Sequence, residues 1–170
     1  NSPRTGVISD ALYKFIEDFS DNKKTKYKCI EDILKNNYPD IKSLKSGGAI
    51  IDYSKDIIDQ SINAVKKLNS SFLLIQGPPG AGKTYTSAKI ILSLIKDKKK
   101  VGINSNSHKA INNLLLKIEE LAAEENFKFE GFKKSSKEVD KFNGKNIRES
   151  RIELVTKNCL IYAGTAWLFS

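Results

Sequence analysis

The sequence predicts an α/β protein with a partial parallel sheet, preceded by a small helical region. Three observations carry this reading. Residues up to about 69 show only helical periodicity. From residue 71 onward, short apolar runs alternate with amphipathic helical stretches, the pattern of strands joined by crossover helices. A glycine-rich loop then joins the first apolar run to the helix behind it. The expected division is a helical region over 1–53 and an α/β domain over 54–170.

Each element follows from its own pattern. "ISDALYKFIEDFS" spaces Ile8, Leu12, Phe15, Ile16 and Phe19 as one helical face, with Ser9 and Asp10 as candidate caps. "KYKCIEDILKNNYP" repeats the spacing through Ile30, Ile33 and Leu34, and Pro39 helps to end it. After a polar connection with Gly47 and Gly48, "YSKDIIDQSINAVKKLN" predicts a third helix. Ile57, Ile58, Ile62, Val65 and Leu68 face inward there, and Ser54 lies near the start. These apolar stripes are expected to be core.

The second part reads differently. "SFLLIQ" predicts a buried strand, and a helix follows the glycine loop to about Ile95, closed by the solvated run Lys98, Lys99 and Lys100. "VGINS" predicts a second strand. "SHKAINNLLLKIEELAAEE" predicts a helix with Ala110, Ile111, Leu114, Leu115, Ile118, Leu121 and Ala122 on one face and its carboxylates on the solvated one. "FKFEGF" predicts a further strand, "KKSSKEVDKFNGKNIRES" a lysine-rich loop, and "ELVTKNCLIYAG" a last strand.

Composition narrows the class. The 170 residues are 39% hydrophobic and 29% charged, as in ordinary globular domains. No apolar run spans a bilayer and "NSPRTGVISD" has no secretory pattern, so a cytoplasmic protein without a membrane partner is expected. Cys29 and Cys159 match no metal or redox spacing and read as free thiols. The net charge of +9 is compatible with nucleic acid, but lysine supplies most of it and it is spread along the chain. With no methionine anywhere, the sequence reads as a piece of a longer or processed product.

"GPPGAGKT", from Gly77 to Thr84, fits G-x-x-x-x-G-K-[ST], the phosphate loop of P-loop NTPases. Glycines let the backbone curl so that successive N–H groups face one anion, and the following helix adds its positive end. The candidate nucleotide contacts are Gly77, Pro78, Pro79, Gly80, Ala81, Gly82, Lys83, Thr84 and Tyr85. Lys83 brings a cation to the β- and γ-phosphates, and the Thr84 hydroxyl suits Mg²⁺, so these two carry the catalytic assignment. The expected cofactors are ATP and Mg²⁺.

"IQGPPGAGKTYTSAKII" resembles motif I of superfamily 1 helicases, in the branch of the RNA-decay helicases and the replication nuclease-helicases; Ala81 replaces the usual threonine. Gln60, 17 residues before Gly77, has the spacing of that family's adenine-reading glutamine, although the alanine that usually follows it is displaced to Ala64. "NSNSHKAINNLL" is similar to motif Ia, with His108 in place of the common asparagine. The resemblance implies that Ser107 and His108 touch a single-strand backbone, and that Thr165 in "CLIYAGTAWLFS" faces the same strand. Trp167 is either a base-stacking platform or a core aromatic. The pairing of these segments most resembles bacterial proteins that fuse a RecB-like nuclease to a helicase.

The implied partners are single-stranded nucleic acid, DNA rather than RNA, the rest of the helicase and a nuclease domain in the parent chain. The resemblance also implies a first RecA-like domain cut before its metal-binding aspartate and catalytic glutamate, since no "DE" pair follows an apolar strand. Such a piece binds ATP and hardly hydrolyses it. Two other readings stay open: a P-loop ATPase or kinase that never meets nucleic acid, and a nucleotide-dependent interaction module.

Overall fold

The computed structural model describes residues 6–21, 26–135, 137–149 and 158–169. They form two compact units, one reaching to Leu74 and one spanning Ile75–Phe169.

The first unit holds α1 (Gly6–Asp21), α2 (Lys28–Leu34) and α3 (Ile57–Lys66). Helical spacing is right for all three, but the expected core of the first two is not. Ile8, Leu12, Ile16 and Phe19 on α1 are 47–56% exposed, and Ile30, Ile33 and Leu34 on α2 are exposed as well. An apolar stripe becomes core only when another element covers it, and no described element covers these faces. Of the apolar residues on α1, Phe15 alone turns inward, meeting Tyr27 edge to face at 5.7 Å. The predicted second helix is also shorter than its pattern, because Asn36 takes a left-handed φ of 55° just past Leu34. On α3 the cap is Asp56, whose carboxylate accepts from Asp59 N at 2.8 Å; Ser54 instead donates to Asp52 in the preceding turn. Ala64 is buried and Ile58, Ile62 and Val65 half-buried, whereas Ile57 is exposed.

"SFLLIQ" is not a strand. Residues 71–78 carry no ladder, and Leu74 is 76% exposed. Apolar composition suits a strand, but the ladder itself needs a neighbour offering a free edge, and none of the four strands pairs with this run.

The second unit is built from α4 (Lys83–Lys96), β1 (Val101–Asn104), α5 (His108–Glu124), β2 (Glu130–Lys133), β3 (Ile147–Glu149) and β4 (Cys159–Gly164). The strands form one sheet in the order β1-β4-β2-β3, with every pairing parallel. The predicted parallel α/β architecture is therefore observed. β1 leads through α5 to β2, leaving the gap into which β4 inserts. The core joins Ala88, Leu92 and Ile95 of α4 to Ile111, Leu115, Ile118 and Leu121 of α5 and to Ile103, Ile147 and Ile161 of the sheet. Each Leu or Ile fully buried in this way contributes about 1.5–3 kcal/mol. At the far ends of the two helices, Glu125 accepts from Lys89 and Lys96, and the Lys96 bond above all holds its carboxyl below the usual range. Among the described residues no helix is long and apolar enough to cross a membrane.

Two expectations about polar residues fail here for one physical reason. The lysine-rich stretch predicted as loop contains β3, with Ile147 fully buried. Glu119, predicted on the solvated face of α5, is buried: its carboxylate accepts from Asn146 N, Ile147 N and Asn146 Nδ2, each at 2.8 Å. The carboxylate satisfies backbone donors that lead into β3, so strand and buried charge depend on each other. Replacing Glu119 by leucine leaves two of those N–H groups without a partner, at about 1–3 kcal/mol each. Urea denaturation of Glu119→Leu is expected to show a loss of about 2–4 kcal/mol; a loss below about 1 kcal/mol would mean that β3 is held by other contacts.

Candidate nucleotide site and nucleic-acid interface

The glycine loop leads directly into α4. Gly80 and Gly82 have φ of +81° and +78°, alternating with Ala81 and Lys83, whose φ values are negative. Left-handed glycines on either side of Ala81 curl the backbone sharply ahead of α4, as an anion-binding nest requires, while the Ala81 amide donates to the Pro78 carbonyl at 3.3 Å. A Cβ at either glycine would meet nothing within 4 Å, so conformation rather than space makes glycine the right residue there. Gly82 is also the N-cap of α4 and supplies no side-chain bond to the first turn. Lys83 Nζ donates to the carbonyls of Gly77 at 2.7 Å and Pro78 at 2.6 Å. The lysine thus sits over the loop it belongs to. Thr84 and Tyr85 are exposed at the start of α4, and the Lys89 ammonium lies 5.9 Å from the centre of the Tyr85 ring.

Beside the loop lies a cleft of ≈ 200 Å³. Lys83, Thr84 and Ser87 of α4 line one side, Asn104 and Ser105 at the end of β1 another, and Ala110 and Leu114 of α5 a third. The motif I and motif Ia segments, far apart in sequence, therefore share one cleft. Ser107 caps α5, its Oγ accepting from Ala110 N at 3.4 Å. His108 follows it, half-buried, with a buried Nδ1 that has no partner among the described residues.

The register extends this grouping. Asn104 pairs with Gly164 across β1 and β4, so the turn carrying Ser105, Ser107 and His108 and the half-buried Thr165 leave the same end of adjacent strands. Ligands of open parallel sheets bind at that carboxyl end. Trp167, in the 3₁₀ turn 166–168, is 43% exposed. Next along the rim, β2 ends in Lys133, a fully buried lysine whose Nζ donates to the Asp140 carbonyl; burial pushes its pKa down.

Gln60 belongs to the first unit, and its amide is already engaged. Nε2 donates to the Asp52 carbonyl at 2.9 Å and the Asp56 carbonyl at 3.0 Å, while Oε1 accepts from Asp52 N at 2.7 Å. It ties the turn ahead of α3. The cysteines are free thiols: Cys29 is partly buried, and burial pushes up the pKa of Cys159. Sequence reasoning missed Ser87, Asn104 and Ser105 as cleft residues. The available signal was the abrupt change from the apolar start of "VGINS" to polar residues at its carboxyl end.

Comparison with known proteins gives the family. A model described as an AAA domain matches residues 52–150, more than half of the chain. The chain is 39% identical over 74 residues to the DNA replication ATP-dependent helicase/nuclease dna2 of Schizosaccharomyces pombe, covering 41% of this chain and 5% of that protein. It is 34% identical over 122 residues to the ATP-dependent helicase NAM7 of Saccharomyces cerevisiae, covering 58% of this chain and 13% of the other. With DNA2 of Saccharomyces cerevisiae, another DNA replication ATP-dependent helicase/nuclease, the identity is 38% over 64 residues, or 38% and 4% of the two chains. The chain thus spans a small part of the relatives it matches. No solved structure matches it. The family match covers more than half of the chain and contains the whole glycine loop, so this chain belongs to the AAA domain family.

Proposed function

We propose that this chain is the ATP-binding portion of a helicase that couples ATP hydrolysis to movement along, or unwinding of, nucleic acid. One observation carries this reading: Lys83 and Thr84, which end the glycine motif and open α4, line a single cleft with Ser105, just ahead of α5, and with Ala110 in its first turn. A cleft that joins a triphosphate loop to a helix start able to donate to a phosphate backbone suits a motor better than a small-molecule kinase.

The residues fit ATP with Mg²⁺. The nest at 80–82, the uncapped first turn of α4 and the Lys83 ammonium all favour anionic phosphate oxygens, and Thr84 offers a hydroxyl oxygen for the cation. Bound Mg²⁺ supplies charge neutralisation at the phosphates. Lys83 must then exchange one or both carbonyl partners for phosphate oxygens. Gln60 is proposed to read adenine on its spacing from the loop, at the cost of its bonds to the 52–56 turn. The functional domain is proposed to begin near residue 54, since the family match starts at 52. Ser107, His108 and Thr165 are proposed to contact single-stranded DNA in preference to RNA, with Trp167 available for stacking, as part of a larger parent protein acting in the cytoplasm.

Fluorescence anisotropy with single-stranded oligonucleotides tests the nucleic-acid half of this. The parent chain is expected to bind weakly, with affinity falling steeply as salt rises. The double change Ser107→Ala and His108→Ala is expected to weaken it further by at least about fivefold, since two phosphate donors are lost at roughly 0.5–1.5 kcal/mol each. Equal binding by mutant and parent from low to moderate salt would place the contacts elsewhere and favour a P-loop ATPase that never meets nucleic acid.

A further inference from the structure

Ser105 stands at the junction between the cleft and α5. It lines the cleft with Lys83 and Thr84, and its Oγ accepts the N–H of Ser107 at 3.2 Å. Ser107 in turn uses its own Oγ to accept Ala110 N and so cap α5. Two consecutive hydrogen bonds therefore run from the cleft wall into the first turn of the helix. The second partner a serine hydroxyl can take decides what this chain does. With one lone pair holding Ser107 N–H, the Ser105 hydroxyl keeps a proton to donate. Among the described residues its side chain makes no other hydrogen bond. Lys83 and Thr84 would bring phosphate oxygens to the same cleft, and these are strong acceptors for that proton.

We propose that Ser105 is a positioning residue that couples nucleotide occupancy of the loop to the start of α5. Donation by the Ser105 hydroxyl to a phosphate oxygen polarises that hydroxyl and fixes its rotamer. A fixed, polarised Oγ is a better acceptor for Ser107 N–H, because hydrogen bonds in a chain strengthen one another. The Ser107 backbone is thereby held in the capping conformation, and His108 immediately follows it. Nucleotide in the cleft tightens the turn that presents Ser107 and His108; an empty cleft leaves that turn dependent on one neutral bond. This inference rests on the reading of the loop as the triphosphate site and adds to it the route by which the site would be sensed.

The test is NMR-detected amide exchange and chemical shift on the 170-residue chain, titrated with the non-hydrolysable analogue AMP-PNP. Calorimetry on the same samples reports binding. In the parent, AMP-PNP with Mg²⁺ is expected to slow exchange of the Ser107 and Ala110 amides by about fivefold, the low end of ordinary coupling between sites. Ser105→Ala should bind the analogue within about threefold of the parent, because Lys83 and the nest supply most of the affinity. It should nevertheless lose the slowing at both amides. Ser105→Thr, which keeps the hydroxyl, should restore it. An arm with AMP-PNP and EDTA tests the phosphate as acceptor: slowing that survives removal of the cation supports it, and slowing lost while the analogue stays bound overturns it. Unchanged slowing in Ser105→Ala would overturn the relay while leaving the nucleotide site standing. Loss in both the Ala and Thr variants would also overturn it, since packing rather than the hydroxyl would then be responsible. Absence of binding by the parent would take down the nucleotide reading and the relay together.

Discussion

Lys83→Ala is expected to lower the affinity for ATP–Mg²⁺ by on the order of 100-fold or more, about 2.7 kcal/mol, and to leave the fold intact. Lys83 makes its two hydrogen bonds to carbonyls of the loop itself and belongs to no part of the buried core, so its loss removes a charge and not a packing contact. The remaining nest still presents N–H groups, but partial charges alone hold a triphosphate far less well than a cation does. Calorimetry with ATP, GTP and inorganic tripolyphosphate checks this and the Gln60 assignment together. The parent should prefer ATP, Gln60→Ala should bring ATP and GTP level, and Lys83→Ala should weaken all three ligands. Unchanged affinity in a folded Lys83→Ala protein would show that the loop is not the site, and a uniform loss across the three in Gln60→Ala would remove its adenine role.

The second large effect concerns turnover. These 170 residues are expected to bind ATP and to hydrolyse it near the background rate. Turnover requires a positioned water, a base and charge stabilisation around the γ-phosphate, whereas the lining of the cleft offers Lys83, Thr84, Ser87, Asn104 and Ser105 without one carboxylate. An arginine finger alone accounts for about 10³–10⁵ in rate, and the helicase resemblance assigns that arginine and both acidic groups to later segments of the parent protein. A protein extended through both RecA-like domains is expected to regain turnover stimulated by nucleic acid. Phosphate-release measurements on both forms would decide it: brisk, Lys83-dependent hydrolysis by the 170 residues alone would overturn the assignment of the missing groups to later segments.

What could be read from the sequence was whatever depends on neighbours along the chain. The glycine motif is eight contiguous residues, and the sharp turns at Gly80 and Gly82 were legible in it. The parallel sheet followed from alternation of short apolar runs with helices. What escaped depends on distant partners. Ile147 gains its strand only through pairing with β2, inside a stretch whose lysines read as loop. Glu119 is buried because backbone donors 27 and 28 residues away need an acceptor. The run 71–76 has the composition of a strand, yet no strand of the sheet pairs with it. The stripe on α1 shows the same limit in a helix: periodicity specifies which side is apolar, and only another surface makes it an interior.

The bare start of α4 carries a consequence for how this protein responds to its surroundings. α3 and α5 each complete their first turn with a side chain of their own, Asp56 and Ser107, while α4 begins at Gly82 with nothing to offer its free amides. With glycine at that position the helix gives up roughly a few tenths of a kcal/mol relative to a capping side chain, and on the proposed reading an anion from outside takes that side chain's place. Occupancy and resistance to unfolding then become a single thermodynamic variable, linked through RT ln(1 + [L]/Kd) for any ligand that prefers the folded state. The α4 that reaches into the core with Leu92 and Ile95 is the same helix whose first turn awaits its cap. On the proposed reading of the loop, the melting temperature of the chain is expected to rise with triphosphate concentration.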